Sequence, residues 1–275
     1  MEILQKLKNL NLVNKDFLTI ASNQIRGIIE KGYYDISDKF LRFNNIKNLK
    51  DILENSREFY PIITEIKFAS PSLGKINEES EKQREILKMM ENGGASAISV
   101  LTQPLFFEGS LKNLEIVRKN TTLPVLMKDI IIDKKQIDAG FKLGANVILL
   151  IETLYQKQSE KLDELIEYAN NKGLEVLLEV NTIQELKCAI KRNVSIVGIN
   201  NRNLNTLKLD METTKNILSE KLDINKPIIS ESGIFKSNDL QKLGQSGIDG
   251  FLIGTSIMQS ENIKDKVHEL STVKK

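Results

Sequence analysis

Several short apolar runs in this sequence end on residues that apolar strands rarely carry. Glu65 and Lys67 lie in PIITEIK, Lys128 closes PVLMK, and Glu179 lies in EVLLEV. Asn200 closes SIVGIN, and Glu231 with Ser232 closes PIISES. Carboxylate and ammonium groups are costly inside an apolar element unless they are paired or put to use. A mixed set of lysines and glutamates can move protons near neutral pH once burial and neighbouring charges separate their pKa values. The chemistry suggested is general acid–base catalysis without imidazole or thiol. The one histidine, His268, falls in the last helical stretch; the one cysteine, Cys188, falls in IQELKCAI with no histidine nearby. Packing or plain exposure is the better reading of Cys188 than a nucleophile. One histidine cannot make a two-histidine metal site, so no metal is expected.

A second set points to an anion. Ser232-Gly233 and Gly254-Thr255-Ser256 each follow an apolar run and precede a helical stretch. Small residues there let backbone N–H groups and a helix amino terminus approach a phosphate, although a simple turn would use the same residues.

Both sets need a scaffold that brings distant strand ends together. From residue 61 the chain alternates short β-branched runs with longer amphipathic ones. Strands are predicted at 61–67, 96–102, 124–128, 146–151, 175–180, 195–200, 227–231 and 250–254. The intervals between strand ends, from Lys67 to Ile253, average about 27 residues, enough for a strand, a helix and two loops. Eight such units favour a closed (β/α)8 TIM barrel, an α/β fold, over an open doubly wound sheet. No glycine-rich dinucleotide fingerprint follows the first strand. In such a barrel the carboxyl ends of the strands share one face, where the loops after strands seven and eight commonly hold phosphate. The competing expectation is a ring of ion pairs that merely fills the mouth.

Residues 1–60 stand outside this rhythm. KDFLTIASNQIRGIIEKG sets Phe17, Ala21, Ile25 and Ile28 on one helical face and ends at Gly32, a C-cap. Leu49, Ile52 and Leu53 suggest a second short helix. The expectation is one barrel domain over 1–275, with residues 1–60 a helical extension packed on it, too small for its own core. Lys and Arg number 39 against 37 Asp and Glu, which argues against nucleic-acid binding. The longest central apolar run, Val147 to Ile151, is too short to span a bilayer, and MEILQKLKNLNL lacks a signal peptide's apolar stretch. A lone cysteine fits a reducing compartment. The expectation is a cytoplasmic monomer that binds a small molecule, with no nucleic acid, membrane or cofactor.

The segment EIKFASPSLG (65–74) resembles the first-strand motif of indole-3-glycerol-phosphate synthases. AISVLT with FFEGS (97–102, 106–110), PVLMKDIIID (124–133), LLEV (177–180), GINNRNL (198–204), SESGI (230–234) and LIGTSIM (252–258) are similar to further motifs of that family, in family order. The resemblance covers roughly residues 60–260; the first motif is specific, whereas LIGTSIM also occurs in related phosphate-binding barrels. It implies Glu65, Lys67, Lys128, Glu179 and Asn200 as catalytic residues. Substrate-binding residues would be Ser70, Arg202, Glu231 and Ser232, with Ser232, Gly233, Gly254 and Thr255 at the phosphate. The monofunctional form is expected, without a fused isomerase. Asn181 stands where a histidine is frequent, Asn203 where aspartate is usual, and Met127 where arginine or cysteine is common. Each departure bears on local loop hydrogen bonding and none removes an implied catalytic group.

The implied substrate is 1-(2-carboxyphenylamino)-1-deoxyribulose 5-phosphate, which undergoes ring closure, decarboxylation and dehydration without metal or redox cofactor. Lys128 is the candidate proton donor to the ketone, its pKa expected to fall toward roughly 7–8 beside the Lys67 cation. Lys67 could instead hold the carboxylate or share the acid role. Glu179 would protonate the departing hydroxyl, and Glu65 would take the proton that restores aromaticity. The first βα segment, SPSLGKINEES, is expected to act as a lid. Two alternatives stand beside this reading: an isomerase sharing the barrel and cradle, with cysteine or aspartate in place of Lys67 and Asn200, and a silent phosphate-binding scaffold.

Overall fold

The computed structural model describes residues 17–37, 41, 46–70, 74–75, 82–220 and 222–275. Eight parallel strands close into a barrel: β1 Ile62–Ile66, β2 Ala97–Leu101, β3 Val125–Lys128, β4 Val147–Ile151, β5 Glu175–Val180, β6 Ile196–Asn200, β7 Ile228–Glu231 and β8 Gly250–Ile253. Each pairs with its neighbours in chain order, and β8 returns to β1. The strands fall within about a residue of the sequence reading, because β-branched runs bounded by polar loops leave little freedom in a parallel sheet.

Side-chain alternation decides what enters the barrel. The register sets Ile151 level with Glu179, Glu179 with Gly198, and Asn200 with Glu231. Period two places Lys128, Glu179, Asn200 and Glu231 on the inner face together with Leu126, Leu177 and Ile229. Gly198 occupies an inner position that must stay empty, since a Cβ there would lie 2.3 Å from Glu231 Oε1. On the outer face, Met127 packs its sulfur where a side chain on Gly140 would otherwise sit.

The extension reaches both ends of the barrel. Helix α1 (Phe17–Glu30) buries Phe17, Ala21, Ile25 and Ile29 in the same core as the strands, with Ile28 half-buried beside them. It ends as read from sequence. Gly32 takes φ +80°, the Gly32 N–H donates to the Ile29 carbonyl, and the Tyr33 N–H donates to the Ile28 carbonyl, the paired bonds of a Schellman cap. The next residues run to the carboxyl-terminal face, where Tyr33 Oη donates to the Thr102 carbonyl and Tyr34 Oη to Asp129 Oδ2.

Helix α2 (Leu49–Asn55) lies at the opposite end. The Glu175 carboxylate, at the start of β5, accepts from the N–H groups of Leu49 and Lys50 at 2.7 and 2.8 Å, capping the helix. Leu53 is fully buried where β8 begins, so close that a Cβ on Gly250 would lie 2.5 Å from its Cδ2. Among the described residues, no helix is long and apolar enough to cross a membrane.

Leu53 closes the end of the barrel remote from the carboxyl-terminal loops. Leu53→Ala is therefore expected to lower stability by about 2–5 kcal/mol, as cavity-forming substitutions do. Urea unfolding checks this; an unchanged midpoint would contradict it.

Candidate active site

A cavity of about 490 Å3 opens among the carboxyl ends of the strands. It is lined by Glu65, Lys67, Lys128, Glu179, Asn200, Arg202, Ser232, Gly233, Gly254 and Thr255. Twelve residues were named from sequence, and these ten meet here because every second position of each strand end points inward. Glu231 stands behind them, fully buried against Lys128. The Ser70 side chain lies outside the described residues, as do residues 71–73 of the expected lid, Ser70 to Lys75; the Ala69–Ser70 backbone pairs antiparallel with Gly74–Lys75.

Opposite charges are interleaved. Lys67 Nζ lies 2.7 Å from Glu65 Oε1. Lys128 Nζ donates to Glu231 Oε2 at 2.6 Å and lies 3.5 Å from Glu65 Oε2. Asn200 Nδ2 donates to Glu179 Oε1 at 2.9 Å, while Asn200 Oδ1 accepts from the Arg202 N–H. Ion pairs do line the mouth, as the competing expectation held, but they surround a cavity instead of filling it.

The two carboxyls that face the cavity are driven apart. Burial raises Glu179, the Glu231 carboxylate raises it further, and Lys128 with Asn200 offset only part of this, leaving it pushed up to about 8. Burial also acts on Glu65, but the adjacent ammonium groups of Lys67 and Lys128 more than offset it and hold Glu65 below the usual carboxylate range. Lys128 corrects the sequence reading. Burial opposes its charge, yet Glu231, Glu65 and Glu179 together hold it well above the ordinary lysine value, not near 7–8. Lys67, the cation expected to depress it, is engaged by Glu65.

The loops after β7 and β8 form the anion side. Ser232 and Gly233 both adopt left-handed backbone, φ +69° and +80°, a conformation that costs a serine energy and turns the chain sharply. Ser256 Oγ donates to the Ile234 carbonyl, tying the two loops together. The one-turn helix Thr255–Met258 leaves its first N–H groups without intrahelical partners. Gly254 lines the cavity beside them, and it has a further reason to be glycine: a Cβ there would lie 2.7 Å from Glu65 Oε1.

Sequence reasoning missed three features. Asp129 is buried beside Lys128, accepts from Thr102 Oγ1 and Tyr34 Oη, and is raised by burial to about 6. Asn201 accepts from the Thr214 N–H and hydroxyl and donates to Ser230 Oγ and the Ser232 carbonyl, fixing the β7 loop. The polar types in KDIIID and GINNRNL were visible, but their partners are distant in sequence. Phe17, Phe107, Leu207, Leu209 and Phe235 give the cavity an apolar wall, which no periodicity marks.

A family model described as indole-3-glycerol phosphate synthase matches residues 11–270. The chain belongs to that family. Relatives called indole-3-glycerol phosphate synthase include those of Lactococcus lactis (41% identity, 83% of this chain and 85% of the relative) and Methanocaldococcus jannaschii (42%, 89% and 89%). The Aquifex aeolicus relative is 40% identical over 86% of this chain and 93% of its own. Membership carries the family's activity, a carboxy-lyase step of tryptophan biosynthesis.

The raised Glu179 has a consequence for stability. Unfolded, it titrates near 4.5; folded, near about 8. Between these values the unfolded chain has shed a proton that the folded chain keeps. The contribution is thus full below 4.5 and is lost as pH rises through about 8. Glu179→Gln cannot ionise, so the variant should gain Tm relative to the parent between about pH 5 and about pH 9. A pH-independent Tm difference would mean that Glu179 is ionised throughout.

Proposed function

We propose that this cavity converts 1-(2-carboxyphenylamino)-1-deoxyribulose 5-phosphate to indole-3-glycerol phosphate, CO2 and water, with each step assigned to a named side chain. The phosphate sits at Ser232, Gly233, Gly254 and Thr255, near the first N–H groups of the one-turn helix. The aryl ring meets the apolar wall, and Lys67 or Arg202 meets the carboxylate. Lys128, an ammonium held among carboxylates, donates to the ketone oxygen as the aryl carbon attacks; the alkoxide that develops is basic enough to take its proton. Loss of CO2 returns an electron pair to the ring. Neutral Glu179 then protonates the departing hydroxyl, and ionised Glu65 takes the ring proton, which completes the indole. Two protons are delivered and one recovered, matching loss of a carboxylate as neutral CO2.

The observation that carries this assignment is the separation of Glu179 from Glu65 across one cavity, the condition for two carboxyls to take opposite roles. An unpaired lone cysteine supports a cytoplasmic setting. Among the described residues few large apolar side chains are exposed, and two of them, Leu209 and Phe235, lie at the cavity, which supports a monomer.

Lys128→Met keeps the stem and removes the ammonium, so kcat should fall by roughly 10²–10⁴-fold. Glu179→Gln should slow dehydration after closure and let a decarboxylated, undehydrated species accumulate in rapid-quench samples. Incubation with the anilino-ribulose phosphate, followed by indole fluorescence, reads both. Near-normal turnover of Lys128→Met moves the proton donor to Lys67.

Gly254→Ala separates the cradle from the carboxyl pair. The new Cβ presses on Glu65, so kcat should fall by roughly ten- to a hundredfold through misplacement, with inhibition by inorganic phosphate little changed. Lost phosphate inhibition at unchanged kcat would instead mean that Glu65 accommodates the Cβ and the cradle does not.

A further inference from the structure

Four side chains lace the ends of β5 and β6 into one network. Asn181, just after β5, donates from Nδ2 to the Asn200 carbonyl at 2.6 Å. Its Oδ1 accepts from Asn203 Nδ2 at 2.9 Å. Asn203 Oδ1 accepts from the N–H groups of Asn205 and Thr206, both at 3.0 Å. Asn200 in turn holds Glu179 with its amide and the Arg202 N–H with its oxygen. An asparagine amide has chemically distinct ends, and here backbone groups dictate both orientations. The Asn200 carbonyl demands a donor from Asn181. The Asn205 and Thr206 N–H groups demand an acceptor from Asn203. The Asn181–Asn203 bond can therefore run in one direction only.

We propose that Asn181 and Asn203 are positioning residues, a one-way amide relay that holds Asn200 against Glu179 and sets the loop bearing Arg202, Leu204 and Leu207 at the cavity wall. Arg202 Nη1 donates to the Leu207 carbonyl and Leu207 has φ +60°, so this loop is a bent unit that needs an outside anchor. Asn203 supplies it: its backbone ties the loop together, the N–H donating to the Lys208 carbonyl and the carbonyl accepting from the Leu207 N–H, while its side-chain amide reaches out to Asn181. Neither relay residue lines the cavity. The effect on catalysis is indirect, through Asn200 and Arg202, and the inference rests on this cavity being the one that turns over the substrate.

The direction of the relay yields a test that a merely structural role would not satisfy. Asn203→Asp is nearly isosteric and keeps the acceptor for Asn205 and Thr206, but sets two acceptors face to face; kcat/KM should drop roughly tenfold. Asn181→His at high pH can donate from one ring nitrogen to the Asn200 carbonyl and accept from Asn203 at the other. Protonation destroys the acceptor, so its kcat/KM, as a ratio to the parent, should fall toward about pH 6. The double variant Asn181→His with Asn203→Asp needs both nitrogens protonated, so its ratio should fall toward about pH 9 and exceed that of Asn203→Asp at about pH 6. The charged groups facing position 181 are Glu185, whose Oε2 accepts the Asn181 N–H, Glu179 two residues earlier, and Arg202 beside Asn203. The carboxylates place the histidine titration higher and leave the opposed slopes intact. Opposed slopes together with the low-pH rescue support the relay. Parallel slopes, flat ratios, or an unaffected Asn203→Asp overturn it. If the slopes are opposed while Glu179→Gln still dehydrates normally, the acid assignment falls and the relay stands.

Discussion

An ammonium group inside a barrel is unstable unless negative charge surrounds it. Lys128 is buried at the end of β3 with Glu231 bonded to it, Glu65 within reach and Glu179 acting on it across the cavity. Much of the site follows from meeting that need. Glu231 requires Gly198 opposite it, because any side chain there would occupy its carboxylate's space. Glu65 requires Gly254 for the same reason. Glu65 is shared between two ammonium groups and stays ionised, whereas Glu179 faces Glu231 with an amide as its hydrogen-bond partner and keeps its proton. The charges around one buried cation thus set Glu65 and Glu179 in opposite states, an arrangement held by strand registers and not by flexible loops.

The barrel separates the work of its two ends. At the amino-terminal end, α2 is capped by Glu175 and fills the opening with Leu53, burying apolar area remote from the chemistry. At the carboxyl-terminal end, polar residues are tolerated because each meets a partner or the cavity. The extension serves both. It closes one end with Leu53 and reaches the other through Phe17, Tyr33 and Tyr34. Tyr34 meets Asp129, the residue after Lys128, so the extension is bonded directly to the strand end that carries the buried ammonium.

The sequence by itself determined the barrel, its eight strands, the Gly32 cap and the identity of ten cavity-lining residues. All but Arg202, which the family resemblance alone implied, depend on local periodicity, on residue types that are costly where they stand, or on small residues just after a strand, and these can be read along the chain. Tertiary structure alone decided how those residues act. Lys128 was expected beside a cation and is instead held among carboxylates, because strands far apart in sequence meet across the barrel and the register pairs them in ways that spacing does not encode. Gly254 was read as a phosphate contact, and the fold adds that its missing side chain leaves space for Glu65. Asp129, Asn201 and the apolar wall went unnoticed for the same reason: an electrostatic environment or a hydrogen-bond partner belongs to a pair of distant positions, and only folding brings the two together.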